Sequence, residues 1–129
     1  MSNSKVQTQK VCLETENKGI TPYQTNFSLS LDISGNEATG YVSMFTTEVQ
    51  GAKTVFSVSG EVGEIVNNGT TETTLELKGA TNITTGGSIA ISGRFTSDFS
   101  KGVATFDVNM EGQPAEQYSD LPTVKVACS

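Results

Sequence analysis

At 129 residues with a formal charge of −6 and a pI near 4.5, the chain is long enough for one domain with a real core, and its acidity argues against a phosphate-binding surface. The eight Lys and Arg residues are scattered, so nucleic acid is not an expected partner, and no run approaches the roughly 20 apolar residues of a transmembrane helix. Histidine and tryptophan are both absent, which removes the commonest general base and every histidine-dependent triad and points away from an enzyme.

Leucine is scarce while Thr, Ser, Gly and Val are plentiful, a composition for pleated surfaces and tight turns rather than helices. Residues 1–4 read as a frayed tail, and residues 1–10 are too polar for a signal peptide. Residues 5–14 (KVQTQKVCLE) form a first strand, followed by a polar loop over 15–24 with Gly19 and Pro22. In residues 26–34, Phe27, Leu29, Leu31 and Ile33 alternate with polar residues, the pattern of a half-buried strand. Turn formers over 34–40 lead into a return strand over 41–47.

Past a turn at 50–52, residues 53–59 make a strand, and Gly60 and Gly63 bracket a weaker extended run over 61–66. Asn67-Asn68-Gly69 is the strongest turn signal, because Asn-Gly accepts positive φ at both central positions of a type I′ hairpin. Strands follow at 70–78, 88–96, 103–110 and 124–128, with a loop or irregular edge over 79–87. Gly93 within the 88–96 strand indicates a bulge, a bend or a large neighbour packed over it. Residues 111–123 hold the one segment suited to a helical turn, near 114–121, between Pro114 and Pro122.

Eight or nine strands at roughly ten to twelve residue spacing, without helical crossovers, define an all-β antiparallel meander. A closed or nearly closed barrel is the leading architecture and a two-sheet sandwich the alternative, with residues 1–129 as a single domain. Cys12 and Cys128 have no zinc or redox spacing, and as a disulfide they would close a loop of about 115 residues and mark an oxidising compartment. The other reading is two buried thiols. Cys12 is out of phase with Val11 and Leu13 whereas Cys128 is in phase with Val124 and Val126, so a bridge needs a bulge or a position just past a strand end.

The carboxylates Asp32, Glu37, Glu61, Glu64, Glu72, Glu76, Asp98 and Asp107 fall mostly on polar strand faces or in turns, and are expected to be solvated. No oxygen-rich loop of calcium-binding type occurs, Asp98 reads as a turn-capping group, and neither metal nor cofactor is expected. The glycosylation acceptors at Asn26, Asn68 and Asn82 are close to chance in a chain so rich in Ser and Thr. Tyr41 and Phe45 share one face of their strand while Val42 and Met44 take the other, which marks either a doubly covered strand or a contact surface. Phe99 at a hairpin tip is either tucked over the barrel end or offered to a partner, and Tyr118 is the other candidate contact.

These features lead to a non-enzymatic binding module of the periplasm or extracellular space, engaging a protein or glycan as an inhibitor or adhesion factor. A structural subunit of a virion, pilus or similar assembly is the second expectation, and a barrel carrying a small apolar ligand the third. Oligomeric state is left open.

Overall fold

The computed structural model describes residues 7–16, 25–46, 53–81 and 86–128. The tail at 1–4, most of the loop over 15–24, the turn at 50–52 and Asn82 lie outside the described residues. Eight antiparallel strands follow one another: β1 (Thr8–Thr15), β2 (Thr25–Ser34), β3 (Glu37–Thr46), β4 (Lys53–Asn67), β5 (Thr70–Thr81), β6 (Gly87–Thr96), β7 (Lys101–Met110) and β8 (Glu116–Val126). Each pairs with the next, and β8 returns to β1, giving a closed barrel rather than the alternative sandwich.

Alternation decides which side chains fill the barrel. Val11, Leu13, Phe27, Leu29, Leu31, Val42, Phe56, Leu75, Leu77, Ile91, Phe95 and Phe106 are buried within it, while the intervening Ser, Thr, Asp, Glu and Lys residues face out. This is apolar-in and polar-out, the reverse of a barrel facing lipid. At its centre the rings of Phe27 and Phe106 stack with centroids 3.9 Å apart, and Tyr118 meets Phe27 edge-on at 5.4 Å. Burial of such aromatic and aliphatic side chains at about 1.5–3 kcal/mol each is the main source of stability.

Several elements differ from the sequence expectation. Residues 53–59 and 61–66 are one continuous strand, because Gly60 stays paired with both Ala38 and Leu77 and does not end the ladder. A Cβ at Gly60 would lie 1.8 Å from the carbonyl oxygen of Glu76, and one at Gly79 would lie 1.8 Å from that of Ser57. Glycine at these positions lets neighbouring backbones approach closely where the barrel coils. For the same reason β5 runs through Gly79 to Thr81, where a loop was expected from 79 onward. At Gly93 the register with β5 and β7 is regular, and the Phe95 ring packs over the missing side chain, 2.7 Å from where a Cβ would stand. The β2–β3 turn is also tighter than the stretch of turn formers suggested, with only Gly35 and Asn36 between the strands.

The expected helical turn near 114–121 is absent. Residues 111–115 make a turn, with Gly112 at φ 82° and the Gln113 amide donating to the Met110 carbonyl at 2.9 Å, and β8 then starts at Glu116. Tyr118 and Leu121, three residues apart, both pack on the core because the pairing with β7 shifts between Ala104 and Phe106. An extra residue in β8 thus imitates helical spacing. Asp120 takes a φ of 50° at this bulge, and its amide donates to Thr105 Oγ1 at 3.0 Å. Pro122 is accommodated where a ladder N–H is dispensable, and its carbonyl accepts the Glu16 amide at 2.8 Å.

Cys12 and Cys128 form a disulfide with a Cα–Cα distance of 5.4 Å. Cys12 sits on β1 opposite Val126 and Ser30, out of phase with the core residues Val11 and Leu13, and Cys128 lies two residues beyond the end of β8. The position past a strand end is what lets the sulfurs meet. The bridge staples the barrel's closing seam, where β1 and β8 pair over only four residues, Cys12 to Thr15 against Val126 to Thr123.

Candidate functional site

The four aromatic side chains singled out from the sequence do not converge. Tyr41 stands on the outer face of β3, 58 % exposed, between Ser30 of β2 and Ser57 of β4. Phe45 lies on the same face four residues along and is half-buried, whereas Val42 is fully buried on the inner face and Met44 packs against the core. Phe99 is tucked in, 6 % exposed, with φ 65° and its ring 5.5 Å from that of Phe95. Tyr118 is partly buried, its ring edge-on to Phe27, and its hydroxyl donates to Glu116 Oε2. Burial first, then the hydrogen bond and charge of Glu116, push the Tyr118 phenol above its ordinary value.

The β6–β7 turn that buries Phe99 is locked by Asp98, whose Oδ1 accepts the Ser100 amide at 3.0 Å and the Thr96 hydroxyl at 2.8 Å. The Ser100 amide foremost, then the Ser100 and Thr96 hydroxyls, hold its carboxyl down at about 2. Asp98 is a turn-capping group, as its neighbours indicated.

Polar rows cross the outer face from β3 to β7 and reach β8. In register across the sheet, Glu37 faces Glu61 and Glu61 faces Glu76, so three exposed carboxylates stand in one row. Like charges directly opposite cost each pair a few tenths of a kcal/mol. The adjoining row runs Ser59, Lys78, Ala90, Asp107 and Gln117, with the Gln117 amide donating to Asp107 at 2.7 Å. Small residues between long ones leave a shallow hollow of about 340 Å³, floored by Ser59, Ala90 and Ser92 and rimmed by Glu61, Glu76, Lys78 and Asp107. A second hollow, about 500 Å³, shares Lys78, Ala90 and Asp107 and extends to Glu116 and Gln117. Together they form an open trough offering carboxylates, hydroxyls, two amides and one ammonium to a polar or basic surface.

Next to the trough, β4 and β5 continue past their neighbours as a two-stranded arm. The β3 pairing ends at Glu61 and the β6 pairing at Glu72, while β4 and β5 pair on to Asn67 and Thr70. Asn68 at φ 53° and Gly69 at φ 78° close the arm with positive φ at both central positions, the geometry expected for a type I′ turn. Val66 is 74 % exposed on this arm and Ile65 38 %. Ile65 and Val66 fall in the weak extended run over 61–66, and nothing local in the sequence indicates that a strand outruns its neighbours.

Among the described residues no group of three or more His, Cys, Asp or Glu side chains is arranged to hold a metal ion, and no helix is long and apolar enough to cross a membrane. Asn26, one of the glycosylation acceptors, is buried, and Asn68 occupies the β4–β5 turn. No protein-family model matches this chain and no curated protein matches it, so the reading of its function rests on the geometry of the outer face.

Proposed function

We propose that the protein is a non-enzymatic binding module of the periplasm or extracellular space, an inhibitor or adhesion factor that engages a partner through the outer face of β3 to β7. One observation carries this reading. Glu37, Glu61 and Glu76 face one another in register beside an open trough, an arrangement that weakens the isolated fold and favours a basic surface laid over it. Phenylalanines at the barrel centre support recognition from outside rather than an apolar ligand within. The disulfide supports an oxidising compartment.

A photocrosslinking amino acid at Ser92, in the trough, and at Lys10, on β1 where it pairs with Asp32 at 3.8 Å, tests the reading in fluid from the native compartment. Adducts at position 92 and none at position 10 are expected. Equal labelling at both sites, or none at either, defeats it. The edge of β4 left without a β3 partner favours assembly into a larger structure as a second reading. Light scattering behind a sizing column separates the two, since a monomer at millimolar concentration removes the assembly reading.

A further inference from the structure

We propose that the free edge of β4 on the arm accepts a short extended segment of a basic partner as an added strand. The inference rests on the outer-face reading above and specifies how that partner would be held. Past Glu61, residues 63–67 of β4 have no strand on the β3 side among the described residues. The Val62 amide donates to the Asn36 carbonyl at 2.9 Å, so even-numbered residues of β4 direct their backbone groups to that side. In the antiparallel alternation the amides and carbonyls of Glu64 and Val66 therefore point outward from the edge, two residues apart, as the ladder of another strand requires.

The arm's side chains specify the occupant's chemistry. Val66 and Ile65 are exposed on its two faces and give an incoming strand apolar contact. Residues 61–74 contain three glutamates and no Lys or Arg, and Glu37 and Glu76 flank the arm's base. Of these carboxylates Glu72 is engaged by Arg94 at 3.1 Å. Alternating basic and apolar residues complement this edge. A second copy of the chain fits this edge less well, because pairing two such edges would set Glu64 and its neighbours against their own like charges in a protein of net charge −6.

Three synthetic heptapeptides test the proposal on the intact disulfide-bonded protein: one alternating Lys and Val, one alternating Glu and Val, and the Lys-Val peptide with alternate amides N-methylated. The Lys-Val peptide is expected to bind and to slow hydrogen exchange of the Glu64 and Val66 amides at least tenfold. The N-methylated peptide and the Glu-Val peptide should bind at least tenfold more weakly. On the protein side, Val66→Pro removes one edge N–H far from the core and should weaken binding tenfold with an unchanged circular dichroism spectrum, while Glu64→Lys should weaken the Lys-Val peptide alone. Equal affinity for the N-methylated peptide, or unprotected Glu64 and Val66 amides at saturation, overturns strand addition. Protection that grows with protein concentration and no peptide assigns the edge to a second copy and overturns it too. Crosslinks at position 92 together with an unprotected edge leave the outer-face reading standing while this proposal falls.

Discussion

Removal of the Cys12–Cys128 bridge tests whether the barrel is closed by packing or by its staple. The bridge spans 116 residues of sequence, so its loss restores conformational freedom worth about 4.8 kcal/mol to the unfolded chain in the chain-entropy treatment. That is comparable with the whole stability of a modest domain, about 5–15 kcal/mol. The loss also falls at the weakest seam, since β1 and β8 share four paired residues where β4 and β5 share twelve. With a urea m-value of about 2 kcal/mol/M, the unfolding midpoint should drop by about 2.4 M. The assay is urea denaturation of the oxidised protein, the reduced protein and the Cys12→Ala, Cys128→Ala double variant, with hydrogen exchange read strand by strand. Amides of β1 and β8 should lose protection before those of β4 and β5. A stability loss below about 1 kcal/mol with unchanged seam protection would refute the argument, since a barrel closed by side-chain packing needs no staple.

Gly60→Ala places a methyl group against the Glu76 carbonyl and should cost about 3 kcal/mol in denaturant unfolding, whereas Gly63→Ala on the exposed arm, meeting only the Thr74 hydroxyl at 3.0 Å, should stay within about 0.5 kcal/mol. Tyr118 is held neutral by burial, so its folded phenol titrates above the ordinary 10.0; that contribution is complete below pH 10 and is lost as pH rises through the folded value. Tyr118→Phe should remove a step of the tyrosinate absorbance titration that lies above pH 10 and flatten the alkaline loss of stability. Asp98 is depressed to about 2 from 3.8, so its contribution is present above pH 3.8 and disappears as pH falls toward 2. Asp98→Asn should therefore show a shallower decline of stability between pH 4 and pH 2 than the unaltered protein.

The sequence alone determined the alternation. Phe27, Leu29, Leu31 and Ile33 could fill only one face of an extended strand, and Asn67-Asn68-Gly69 could close only a tight hairpin, because side-chain direction in a strand and positive φ in a turn are local properties. That Cys12 and Cys128 could pair was also legible, with either a bulge or a position past a strand end needed to bring sulfurs of opposite phase together; the fold supplies the second. Tertiary structure decided whatever depends on a neighbour. Gly60 and Gly79 read as strand breaks until the backbones of β4 and β5 are seen pressed together there. Residues 114–121, framed by Pro114 and Pro122, suit a helical turn until the pairing with β7 is seen to make them a bulged strand that sets Tyr118 and Leu121 on the core. The row of Glu37, Glu61 and Glu76 joins residues 39 positions apart in sequence, and the arm exists because β4 outruns β3 and β5 outruns β6. Register and strand length relative to a partner are long-range quantities, and the candidate site is built from both.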